Sequence, residues 1–278
     1  LKRGHVPILN VKYVNDACGP FRDWQYQENM FQADGADVAP GVRAATRTAT
    51  TIIETGNDTG NFRGVAYYTE GTKVVLVSEL TAGWYRYISE WGFDADGTIY
   101  PRFGYGATTN TCVCADHYHH VYWRFDFDIN GTDNQVYETR NPRGFVTLPF
   151  ATEARRYRDA KRPVSWVVQN PSTGDAYMIR PNSNDGYALQ DVTGGYARGD
   201  LWVLRYRATE IDDRGVAGGT QVGLDSFVNN EPVVDKDIVV WYGGHLAHLD
   251  DTFSEIDLAP SALSGPRIHG PNLIPIKW

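Results

Sequence analysis

Apolar and polar residues alternate along most of this chain with the two-residue period of a strand, and rarely with the 3.6-residue period of a helix. The clearest case is Trp123-Arg124-Phe125-Asp126-Phe127-Asp128-Ile129, which puts aromatic side chains on one face and charges on the other. It reads as a half-buried strand whose outer face carries two carboxylates. Similar stretches predict strands over residues 6–14, 62–68, 73–80, 84–91, 98–105, 121–129, 135–139, 165–168, 176–180, 201–207 and 237–242. Only 153–161, with Glu153, Arg155, Arg156 and Arg158, reads as a short helix. Turn chemistry falls at Gly97, Gly131 and Gly186. There is no internal repeat and no Pro- or Ser-rich linker, and 210–227 reads as a long glycine-rich loop or arm. The expected architecture is all-β: a large antiparallel β-sandwich running as one domain over 1–278.

Composition supports this reading. Gly and Pro together number 42 of 278 residues, too many for long helices, while Tyr (17), Phe (11) and Trp (8) supply strand formers. The net charge of −8 gives no attraction to nucleic acid or anionic lipid. No apolar run approaches the roughly 20 residues of a membrane-spanning helix, so no membrane insertion is expected. The sequence begins at Leu1 without an initiator Met or a signal-like segment, as a mature or trimmed product would. The bias of Arg over Lys, the aromatic richness and the acceptor triplets at Asn57 and Asn130 favour an extracellular or secreted protein.

Five of the seven histidines fall in two clusters, His117-Tyr118-His119-His120 and His245-Leu246-Ala247-His248. On a strand, residues i and i+2 share a face, so His117 and His119 can hold one metal ion while His120 points away. A third imidazole from a distant segment would complete a three-nitrogen site suited to copper or zinc. Cys112 and Cys114, just before His117, are either extra soft ligands or partners for Cys18. In the second reading, Cys18 joins one of them in a disulfide and the third thiol is buried.

The sequence from His117-Tyr-His119 through Arg124-Phe-Asp126-Phe-Asp128 to Gly131 resembles the catalytic β-sandwich domain of the copper amine oxidases. There an H-x-H pair leads into an R-L-D-x-D-x-D-G strand. Val239-Val240-Trp241, Leu201-Trp-Val-Leu-Arg-Tyr and His269-Gly-Pro-Asn-Leu also have family counterparts, and the likeness is clearest over 82–276. The resemblance implies that His117, His119 and His248 bind copper, with His245 the lesser candidate for the third place. It implies a peripheral calcium site from Asp126, Asp128 and Asp237 with the carbonyls of Phe127 and Ile238. It places Tyr85, in Ala82-Gly83-Trp84-Tyr85-Arg86-Tyr87, at the precursor of the self-made cofactor topaquinone. Trp84 and Arg86 depart from the family's Asn and acid, and Arg86 could stabilise a phenolate or quinone charge or lock it unproductively. A general base is also required; Asp16, after Tyr13, is the candidate and Asp23 its rival. The histidine spacings are shorter than is usual for the family and its small N-terminal domains are missing, as in a compact or diverged form.

Two functions follow from the resemblance. One is a copper- and topaquinone-dependent primary amine oxidase, converting a small amine and dioxygen to aldehyde, ammonia and hydrogen peroxide. The other is a non-catalytic copper-binding protein on the same scaffold without the quinone. A homodimer is implied in either case.

Overall fold

The computed structural model describes residues 1–25, 42–44, 65–107, 110–140, 148–188, 198–211, 223–249 and 269–277. Its strands are β1 (Arg3–Tyr13), β2 (Phe21–Gln25), β3 (Val42–Ala44), β4 (Val65–Glu70), β5 (Lys73–Ala82), β6 (Tyr85–Phe93), β7 (Ile99–Ala107) and β8 (His117–Asp126). They continue as β9 (Gln135–Thr139), β10 (Ala154–Arg156), β11 (Ser165–Gln169), β12 (Asp175–Arg180), β13 (Leu201–Arg205), β14 (Ile238–His248) and β15 (Asn272–Lys277). Among the described residues the only helical segments are short 3₁₀ turns at Val14–Asp16, Thr111–Cys114 and Leu224–Phe227.

The strands form two sheets. One has six strands in the order β10-β13-β14-β8-β1-β2, the other nine in the order β3-β4-β5-β6-β7-β15-β12-β11-β9. Pairing is antiparallel except between β3 and β4. Alternation fills the space between the sheets. Leu9, Val121, Trp123, Phe125, Val240 and Tyr242 come from the first sheet. Tyr85, Tyr87, Phe103, Trp166, Val168 and Leu273 meet them from the second. The all-β sandwich expected from the sequence is the observed architecture.

Three expectations change. The charged face of 123–129 is not a solvent face, because a second apolar cluster, with Trp202, Leu224, Phe227 and Trp241 and with Tyr206 packed against it, covers that side of the six-stranded sheet. Arg124, 1% exposed, lies over the rings of Tyr206 and Trp241 and donates to the Arg207 carbonyl. Residues 153–161 form no helix. Ala154–Arg156 pairs with β13, and the buried Glu153 accepts from the amides of Arg205 and Asn229, so its charge caps backbone instead of facing water. The third thiol, Cys114, is exposed; Cys18 pairs with Cys112. Strand β15, hidden in the sequence by Pro275, pairs with β12 along its length. Most of 210–227 and the Asn57 triplet lie outside the described residues.

Candidate metal centre

The end of β8 that begins the strand and the end of β14 that closes it lie side by side, with His248 opposite His117 and His245 opposite His120. His117 and His119 point into the sandwich by parity, and His248 joins them from the neighbouring strand. A ligand nitrogen from each of the three lies within 4.8 Å of the others, and all three residues are buried. His117 Nε2 and His248 Nδ1 are 3.1 Å apart. Tyr85, the first residue of β6 in the opposite sheet, sends its hydroxyl to this point, 2.6 Å from His117 Nε2 and 2.8 Å from His248 Nδ1.

Outer hydrogen bonds fix the rings. His117 Nδ1 sits 2.5 Å from the Ala115 carbonyl and must donate to it, which leaves Nε2 with its lone pair facing inward. Tyr87 donates its O–H to the Asp23 carboxylate and therefore accepts from His119 Nδ1 at 3.0 Å. His119 Nε2 is then a lone pair, fully buried and without a hydrogen-bond partner. Burial lowers the pKa of His117, and burial together with the neighbouring imidazoles holds His119 far below the ordinary histidine range. Neutral nitrogens with outer N–H groups held by carbonyl and phenol are the donor set a copper ion takes. The orphaned His119 Nε2 is the sharpest sign of that fit.

A pocket of about 170 Å³ opens onto Tyr85, lined by Val11, Tyr13, Phe21, Asp23, Ala82, Gly83 and Trp84. Tyr13 stacks on the His117 ring at 4.4 Å, its hydroxyl accepts from Trp84 Nε1 at 3.3 Å, and Phe21 meets Trp84 edge-on. Of the two acids, Asp23 on β2 lines this pocket, and burial pushes its pKa up to about 6. Asp16 sits in the 3₁₀ turn after β1, its side chain 58% exposed and paired with Lys12. The structure thus brings Tyr85, His117, His119, His248 and Asp23 together, and leaves Asp16 and His245 outside the group. Arg86 points away: one residue from Tyr85, it faces the other side of β6 and bonds the carbonyls of Gly83 and Tyr85.

The acidic trio also assembles. Asp126, Asp128 and Asp237 bring carboxylate oxygens within 4.8 Å of one another, and the Oδ1 atom of each is buried without a hydrogen-bond partner. Burial and repulsion from Asp128 raise the pKa of Asp126 and Asp237, while Lys2 pairs with the other oxygen of Asp128 at 2.7 Å. Phe127 and Ile238, the expected carbonyl donors, are chain neighbours of these acids and are 1% exposed.

A tyrosine and three buried imidazoles converge between two antiparallel sheets on a point suited to a metal ion, and the comparisons agree. The profile "Copper amine oxidase, enzyme domain" matches residues 57–253. This chain belongs to the copper amine oxidase family. It is 25% identical over 239 residues to a primary amine oxidase of Arthrobacter sp. (strain P1), covering 68% of this chain and 37% of that one. It is 23% identical over 269 residues to primary amine oxidase 2 of Arabidopsis thaliana, covering 87% and 37%. The chain thus spans little more than a third of the length of these relatives. The copper-containing benzylamine oxidase of Hansenula polymorpha superposes with a TM-score of 0.68 at 14% identity, over 99% of this chain and 54% of that one. At that identity the superposition speaks for the fold alone.

Proposed function

We propose that this chain is the catalytic unit of a copper-dependent primary amine oxidase, with Tyr85 as the precursor of its topaquinone. The observation that carries the reading is the Tyr85 hydroxyl, within 2.8 Å of nitrogens from two of the three imidazoles. Copper would supply oxidation of the Tyr85 ring and the handling of dioxygen, and the quinone a carbonyl that accepts the amine.

The protein's own groups do the rest. His117, His119 and His248 hold the ion, the first two through nitrogens whose tautomers are set by Ala115 and Tyr87. Tyr13, Phe21 and Trp84 form an apolar wall that takes the substrate's hydrocarbon part and excludes water. Asp23, from that same pocket, takes the proton from the carbon bearing the amine. Its raised pKa of about 6 makes it a stronger base than an exposed carboxylate while still ionised at neutral pH. We assign the base to Asp23 over Asp16 because Asp16 is held in solvent by Lys12. The acidic trio is read as a calcium site, supported by its three orphaned oxygens. Secretion is supported by the Cys18–Cys112 bond, since such bonds persist in oxidising compartments. A two-fold dimer remains the expectation from the family.

The test is mass spectrometry of the Tyr85 peptide after metal-free protein is incubated aerobically with copper, with phenylhydrazine as trap. A modified Tyr85 that captures the hydrazine is the expected result. An unmodified tyrosine beside tightly bound copper would overturn the oxidase reading and leave the non-catalytic copper protein.

A further inference from the structure

The strand pair that forms the copper-type triad carries a second pair of imidazoles on its other face. His120 and His245 are direct cross-strand partners on β8 and β14, 1% and 3% exposed, with their Nδ1 atoms 3.1 Å apart. Asn10 on β1 is paired with His120 from the other side, so the three side chains lie abreast on one face of the six-stranded sheet. Asn10 is 1% exposed, and neither its Oδ1 nor its Nδ2 has a hydrogen-bond partner. A wholly unsatisfied buried amide is rare, because each polar group taken from water without a new partner destabilises the fold.

The ring orientations suit a metal ion. His245 Nε2 lies 2.9 Å from the Gly199 carbonyl and 3.7 Å from Asp200 Oδ1. It carries the proton, and Nδ1 presents its lone pair to His120. An imidazole whose outer N–H is held by a carbonyl beside a carboxylate is the usual setting of a metal-bound histidine. Two nitrogens each about 2.05 Å from one ion stand about 2.9 Å apart at a right angle and about 3.3 Å apart at the tetrahedral angle. The observed Nδ1 separation of 3.1 Å falls between these.

We propose that His120 Nδ1, His245 Nδ1 and Asn10 Oδ1 form a second site for a divalent d-block ion such as zinc or copper, back to back with the triad. Bound there, the ion ties β1, β8 and β14 together directly behind the strand that carries His117 and His119. The competing description is a plain hydrogen bond from His120 Nδ1–H to His245 Nδ1, with Asn10 left unsatisfied.

The two are separated by counting metal. Metal-free protein is loaded with zinc in excess calcium, which occupies the hard-oxygen trio, then dialysed and analysed by plasma mass spectrometry. The wild type is expected to hold two zinc ions, H245Q and H120Q one each, and H119A one, by loss at the other face. N10A is expected to weaken one of the two ions by at least about tenfold, and N10D to tighten it. A wild type holding one zinc, or an H245Q protein still holding two, overturns the proposal, as does N10A with unchanged binding. Should H245Q not fold, H120Q and the two Asn10 variants decide the matter. An H119A protein that loses no zinc would count against the triad, not against this second site.

Discussion

Replacing Tyr87 with Phe removes a hydrogen-bond donor from the proposed base while keeping the aromatic packing. Tyr87 stacks on Tyr85 with ring centres 5.6 Å apart and lies 5.3 Å from Phe103, contacts a phenyl ring can reproduce. What disappears is the O–H donated to the Asp23 carboxylate. That bond favours the ionised carboxylate and opposes the burial that already lifts Asp23 to about 6. A hydrogen bond to a charged group contributes about 1.5–3 kcal/mol, and about 1.4 kcal/mol corresponds to one pH unit. In Y87F the Asp23 pKa should therefore rise to between about 7 and 8.

The assay is kcat/KM against pH with a saturating supply of copper. Wild type is expected to lose activity on acidification with a midpoint near 6, and Y87F with a midpoint one to two units higher. Saturating copper is required because Tyr87 also accepts from His119 Nδ1, and loss of such an outer partner weakens a metal site about tenfold or more. A limb that stays near 6, or moves down, would refute the assignment of Asp23 as base. The stability of the folded chain supplies an independent check. Native Asp23 keeps its proton to about pH 6, and an unfolded aspartate only to about 4, so the native state holds more protons between these values. Raising the pH through that window costs stability. D23N should therefore be more stable than wild type above pH 7, by on the order of 1–2 kcal/mol after solvent screening, while losing amine turnover.

Calcium should raise the melting temperature, and more at neutral pH than at pH 4. Asp126 and Asp237 resist ionisation without a cation, so bound calcium competes with their protons; equal shifts at both pH values would count against the site. Replacing Cys18 with Ser opens a link spanning 94 residues and should cost about 4 kcal/mol in denaturant melts, with no loss under reducing conditions where the bond is already broken. Gly186 has φ +67°, and a Cβ there would stand 1.7 Å from the His245 carbonyl oxygen. G186A should lose roughly 3 kcal/mol or more, and a melt within 1 °C of wild type would contradict the packing described.

The parity of strands made His117 and His119 legible as a pair in the sequence, and the family resemblance supplied His248. His117 and His119 must share a face, and the antiparallel register that sets His248 opposite His117 also sends His245 to the other side with His120. The proposed base was not legible in the same way. Asp16 follows Tyr13 in sequence, but the chain turns there, with φ of +54° and +53° at Asn15 and Asp16, and carries the carboxylate out to Lys12. Asp23 reaches the site only because β2 returns along the edge of β1, and its partner Tyr87 belongs to the opposite sheet. Such a contact has no local period to reveal it. The charges of Arg124 and Glu153 misled for a related reason. Alternation shows which residues share a face, but not whether a second layer covers it.

The residues flanking Tyr85 depart from the family pattern, and the structure shows why the ring can keep its place regardless. Its hydroxyl is held by His117 and His248 from the first sheet, and its face and edges by Tyr87, Tyr105 and His119. None of these contacts passes through residues 84 or 86. Arg86 instead closes the β5–β6 hairpin by binding the carbonyls of Gly83 and Tyr85, the former at a turn residue with φ +57°. Trp84 reaches across the pocket to Tyr13, which in turn stacks on His117. The two substitutions therefore act on different things: Arg86 on the hairpin that presents Tyr85, and Trp84 on the wall of the pocket that opens onto Tyr85. It follows that exchanging Trp84 for Asn should change which amines enter far more than whether copper binds, because the wall is remade while His117 and His119 keep the outer partners that orient their donor nitrogens.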